Sequence, residues 1–80
     1  MMHPAALQAA QMMGLPTTYT VFQLLPSGRQ INKEHLNDLG EVNEWMDRVH
    51  GEYATIQIVS DRTGADRVFT DNGRKFELVQ

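Results

Sequence analysis

Three histidines, two serines, ten carboxylates and six glycines are the residues from which chemistry could be built in this 80-residue chain. Their spacing builds little. His3, His35 and His50 are scattered, and no H-E-x-x-H or paired-ligand pattern joins them. His50 reads as a residue of a last helical turn, where an imidazole complements the helix dipole. Ser27 sits in a turn and Ser60 at a strand end, and neither lies in the G-x-S-x-G setting that activates a serine. The glycines are isolated, so no loop is written to cradle a phosphate. The absence of cysteine removes disulfides, thiol nucleophiles and cysteine-based zinc sites, and it fits a reducing compartment such as the cytoplasm. The carboxylates are expected on an exposed helix face and in turns rather than in the desolvated cleft that catalysis needs. The expectation is a protein with no catalytic residue, no cofactor and no metal site.

Charge says more. The net charge is −3, and it is unevenly placed. Residues 1–32 carry Arg29 and no acid. Residues 33–52 carry Glu34, Asp38, Glu41, Glu44, Asp47 and Glu52 against Lys33 and Arg48. Residues 53–80 carry four acids and four bases, which cancel. At 100° per residue, Glu41, Glu44 and Asp47 fall on the side of a helix away from Leu39, Val42 and Met46. That face is either a solvated surface whose acids suit a helix N-terminus, or a negative ridge offered to a positively charged partner.

The elements that carry these residues are legible. The run Thr17–Leu25 is β-branched and aromatic, Pro26-Ser27-Gly28 breaks it, and Arg29–Asn32 returns as a short second strand. Asp38 and Glu41 stand in the relation of a capping box, and Leu39, Val42, Trp45, Met46 and Val49 follow at helical spacing. This predicts a helix over Leu39 to His50, stopped by Gly51, with an earlier start near Lys33 as the alternative. From Tyr53 to Ser60 the chain alternates as a strand, with Ala54, Ile56 and Ile58 on one face. Asp61–Gly64 is a turn. Two further strands then meet across Asn72-Gly73, read as a two-residue type I′ hairpin in which Asp71 pairs with Arg74 and Phe69 faces Phe76. The layout is a single α+β domain: one amphipathic helix on an antiparallel sheet of four to five strands, with a short N-terminal helix.

The N-terminal segment 1–16 is apolar, carries no Lys or Arg, and is too short to span a bilayer, which takes about 20 residues. Pro4 suits the first helical position and Gly14 the end. A helix with only Gln8 and Gln11 as polar residues docks on its own sheet, contacts a second copy, or stays disordered. Leu7, Met12 and Met13 are the candidates for self-association, and a homodimer would supply burial that an 80-residue core lacks.

A structural, self-assembling phage protein is one competing class and nucleic-acid binding the other, since Arg62, Arg67, Arg74 and Lys75 lie near Tyr53, Phe69 and Phe76. Four interleaved acids and the core character of both phenylalanines count against it. In size, lack of cysteine, acidity and helix-on-sheet layout, the chain resembles the small inhibitors carried by phages, among them anti-CRISPR proteins. The resemblance implies a non-enzymatic inhibitor of a host effector, such as a CRISPR-Cas subunit, whose basic channel or docking site it would fill. Glu41, Glu44 and Asp47 are the candidate contact.

Overall fold

The structure, a computed structural model, describes residues 2–13 and 18–79, with the side chains of Met12 and Met13 outside the description. Gly14, the expected end of the first helix, lies outside the described residues. Helix α1 spans Pro4–Met13 and starts at the proline, whose missing N–H would have been unpaired there in any case. Strands β1 (Tyr19–Leu24) and β2 (Gln30–Leu36) form the first hairpin, and helix α2 (Leu39–Val49) follows. Strands β3 (Thr55–Ser60), β4 (Asp66–Asp71) and β5 (Phe76–Leu78) complete the chain as a meander. All pairings are antiparallel, in the order β2-β1-β3-β4-β5. This is the α+β architecture expected.

Both helices lie on one face of the sheet. Val42, Trp45, Met46 and Val49 of α2 are buried there against Tyr19, Val21, Ile56, Ile58 and Phe69. The capping box forms: Asp38 Oδ1 accepts from Glu41 N at 2.9 Å, and Glu41 Oε1 reaches back to Asn37 N at 3.1 Å. Helix α1 docks within its own chain through Ala5, Ala6 and Ala9, all buried, because alanine lets it approach α2 closely. Asn43 Oδ1 accepts from the His3 amide at 2.6 Å and holds the start of α1 on α2.

Three local expectations give way, the simplest being that β3 starts at Thr55 and not at Tyr53, whose φ is +58°. The second strand is Gln30–Leu36 rather than Arg29–Asn32, and Lys33 starts no helix. Most of β2 is exposed and polar because it is the sheet's edge, where Lys and Glu discourage pairing with other chains. Asn32 adopts φ +53° at the irregularity where the β1–β2 register shifts. The last hairpin also pairs two residues further out than expected: Asp71 faces Phe76, and Phe69 faces Leu78. Gly73 is left-handed at φ +85°, but Asn72 is not among the residues with positive φ, so the type I′ turn does not form. Instead Asn72 Oδ1 accepts from the amides of Arg74 (2.9 Å) and Lys75 (3.0 Å), which closes a four-residue loop. A shift of two preserves the face, so Phe69 and Phe76 are both in the core, as expected.

Candidate functional site

The expected acidic face of α2 is divided by its bonds. Glu41 is spent on the cap. Asp47 Oδ1 lies 2.5 Å from His3 Nε2, clasping α1 to α2. Glu44 is exposed and has no hydrogen bond or ion pair among the described residues. Sequence reasoning left out Glu34, which the extension of β2 brings beside the helix. Arg48 Nη2 bonds both of its carboxylate oxygens, at 3.0 and 3.1 Å. Glu34, Glu41 and Glu44 thus line one shallow hollow between β2 and α2, with Arg48 as the cation there. A second hollow continues along the same flank and brings Glu34 together with Glu52.

Glu52 is also where this flank meets a groove of about 650 Å³ at the end of the sheet. Leu24, Leu25 and Pro26 form one wall, from the end of β1 and the turn after it. Glu52, Tyr53 and Ala54, from the connection between α2 and β3, form the other. Tyr53 is the most exposed large apolar side chain among the described residues, at 74%. Its backbone sits at φ +58°, a conformation a bulky side chain adopts only under constraint.

The constraint is Asp71. It was expected on the surface with the other carboxylates, but its side chain is 1% exposed. Its Oδ2 accepts from the amides of Gly51 (2.5 Å) and Tyr53 (3.4 Å), and its Oδ1 from that of Gly73 (2.8 Å). Two loops are thereby fastened to one buried carboxylate. A larger residue at Gly73 would have to displace the Tyr53 ring, because a Cβ there would stand 2.7 Å from Tyr53 Cζ. The sequence signal was present in the turn residues Gly51 and Asp71-Asn72-Gly73, but it gave no hint that distant turns share a carboxylate.

The histidines do not form a catalytic set. His50 is the C-cap of α2 rather than a residue of its last turn, and its Nδ1 stands 3.5 Å from Asp71 Oδ1 without a hydrogen bond. The rings of His3, His50 and Phe76 meet at 5.2–5.4 Å, mostly edge-on, as packing aromatics do. Elsewhere, Thr20 Oγ1 donates to Asp61 Oδ1 (2.7 Å) and lies 2.9 Å from His35 Nδ1. With its proton committed to Asp61, the hydroxyl can only accept from the imidazole, the reverse of what base activation requires. Hydrogen bonds from Thr18 and Thr20 hold the Asp61 carboxyl below the usual range, which also makes it a poorer base. Among the described residues, no group of three or more His, Asp or Glu is placed to hold a metal ion.

The basic residues of the C-terminal meander do not assemble into a stacking platform. Phe69 and Phe76 are buried, Arg67 Nη1 bonds the Asp66 carbonyl, and Lys75 lies 4.0 Å from Glu77. Helix α1 uses its alanine face within the chain and leaves Leu7 46% exposed on the outside. The side chains of Met12 and Met13, the other residues expected in self-association, lie outside the described residues. No helix among the described residues is long and apolar enough to cross a membrane. The chain matches no family model, no curated protein and no solved structure, so a functional reading rests on the acidic flank and on the groove that continues it.

Proposed function

We propose that this protein is a non-enzymatic, cytoplasmic binding module that occupies a basic surface of a partner protein stoichiometrically. The observation that carries the reading is the placement of Glu34, Glu41 and Glu44 around one hollow between β2 and α2. Arg48 is the formal cation that answers them there, beside His35, and Glu44 has no partner among the described residues. A potential of one sign on one flank steers association and rejects partners of the same sign. The resemblance to small phage-borne inhibitors of the anti-CRISPR kind makes a host nucleic-acid-processing effector the class of partner. An acidic flank would compete there with nucleic acid for a basic channel.

Affinity capture from host lysate, run in parallel with the native chain and Glu44→Lys, tests this. Glu44 is the variant of choice because Glu41 caps the helix and Asp47 clasps α1. The expected result is a nucleic-acid-processing protein captured by the native chain and lost with Glu44→Lys, at unchanged thermal stability. Capture that Glu44→Lys leaves intact rejects the acidic flank as the contact. Nucleic acid captured without any effector rejects the reading in favour of a nucleic-acid module.

A further inference from the structure

We infer that the groove beside Tyr53 seats an arginine side chain of a partner protein. The inference deepens the reading of a basic partner and rests on it. Three features of the groove select that side chain. Its aliphatic wall, Leu24, Leu25 and Pro26, suits a methylene stem. Its aromatic wall is Tyr53, held outward at φ +58° and 74% exposed, a ring on which a planar guanidinium stacks. Its one charged lining residue is Glu52, whose carboxylate meets a guanidinium in a charge-assisted bond. No base lines the groove; Arg74 and Lys75 line a separate hollow with Asn72 and Glu77. Glu52 also joins the groove to the hollow that holds Glu34, so a basic segment lying on the acidic flank would run into it.

Tyr53 is held in place from behind. Asp71, nearly fully buried, binds the amides of Gly51, Tyr53 and Gly73, and so fixes the backbone on both sides of the ring. A strained aromatic held by a buried carboxylate and turned to solvent is a presented group rather than a packed one.

The test is an amide-resolved NMR titration of the full chain with four acetylated, amidated pentapeptides. They differ only at a central Arg, Lys, citrulline or Leu, and carry no other charge. The Arg peptide is expected to shift the amides of Leu25, Gly28, Tyr53, Ala54 and Thr55 in a saturable way. Citrulline, which keeps the shape but not the charge, should bind roughly 5- to 30-fold more weakly, and Lys should fall between. Glu52→Gln should reduce the preference for Arg over citrulline. Tyr53→Asn, which tolerates the same backbone, should abolish the shifts while leaving the rest of the spectrum in place. Equal binding of Arg and citrulline, tightest binding of Leu, or no shift at millimolar peptide each overturns the inference. Because these peptides are too short and too weakly charged to report on Glu44, the titration can fail while the Glu44→Lys capture result stands, and the reverse.

Discussion

Asp71 offers the most direct test of how the candidate site is held together. Replacing it with alanine removes the acceptor for two short amide bonds, from Gly51 at 2.5 Å and Gly73 at 2.8 Å, and for a longer one from Tyr53 at 3.4 Å. A hydrogen bond to a charged group contributes about 1.5–3 kcal/mol, and the long one adds little. The expected loss for Asp71→Ala is therefore about 3–6 kcal/mol. An 80-residue domain has about 4–12 kcal/mol in total, so the variant would sit near the edge of folding. Asp71→Asn keeps the volume and one acceptor oxygen, and should lose about half as much. Urea denaturation followed by the fluorescence of Trp45 reads both variants. That indole is fully buried and donates to the Asn32 carbonyl at 3.2 Å, so its emission tracks the core. A loss under about 0.5 kcal/mol for Asp71→Ala, the range of ordinary surface substitutions, would refute the reasoning. So would equal losses for the two variants, since the charge alone would then be the stabilising element.

Three further outcomes follow from other parts of the fold. Gly73→Ala should cost about 1–2 kcal/mol for its left-handed backbone alone, and should displace the Tyr53 ring, seen as a shift of the Tyr53 aromatic resonances. Ala6→Leu puts a larger side chain into a fully buried helix contact, where overpacking costs about 1–3 kcal/mol. Faster amide exchange confined to α1 would show that the helix undocks. Asp61 has its carboxyl lowered by Thr18 and Thr20, so its contribution to stability is present above the ordinary carboxylate range and lost as pH falls through the lowered value. Thr18→Val and Thr20→Val should each move its titration upward, measured by carboxyl NMR.

What the sequence disclosed, and what it concealed, divide along the range of the interactions. Helix α2 was legible because its signals are local: Asp38 and Glu41 are three residues apart, and the buried stripe has a period of its own. The meander was legible by alternation. Strand β2 was legible only as far as Asn32, since Lys33 to His35 has neither an apolar face nor β propensity; pairing with β1 extends the strand to Leu36. The Asn72-Gly73 turn departs from type I′ because the Asn72 side chain caps the amides of Arg74 and Lys75 and closes a longer loop. The bonds from Asp71 to Gly51 and Tyr53 join loops some twenty residues apart. Contacts of that separation leave no periodic trace. Glu34, on the part of β2 beyond the expected strand, was missing from the candidate site, while Glu41 and Asp47, chosen from the helical wheel, were already engaged in holding the fold.

Tyr53 separates what the fold requires from what it presents. About a quarter of the residue is covered; at roughly 200 Å² for a large aromatic this is about 50 Å², or about 1.3 kcal/mol of burial. Its left-handed backbone costs about 1–2 kcal/mol relative to a residue that adopts it freely. The two terms nearly cancel, so the ring contributes almost nothing to net stability, and its presence at φ +58° is not explained by folding. Tyr53→Asn should accordingly leave the urea midpoint nearly unchanged, in contrast to the large loss expected for Asp71→Ala behind it. A loss above about 2 kcal/mol for Tyr53→Asn would make the ring a structural support of the Gly73 loop. The groove would then lose its claim to be a surface held open for a partner.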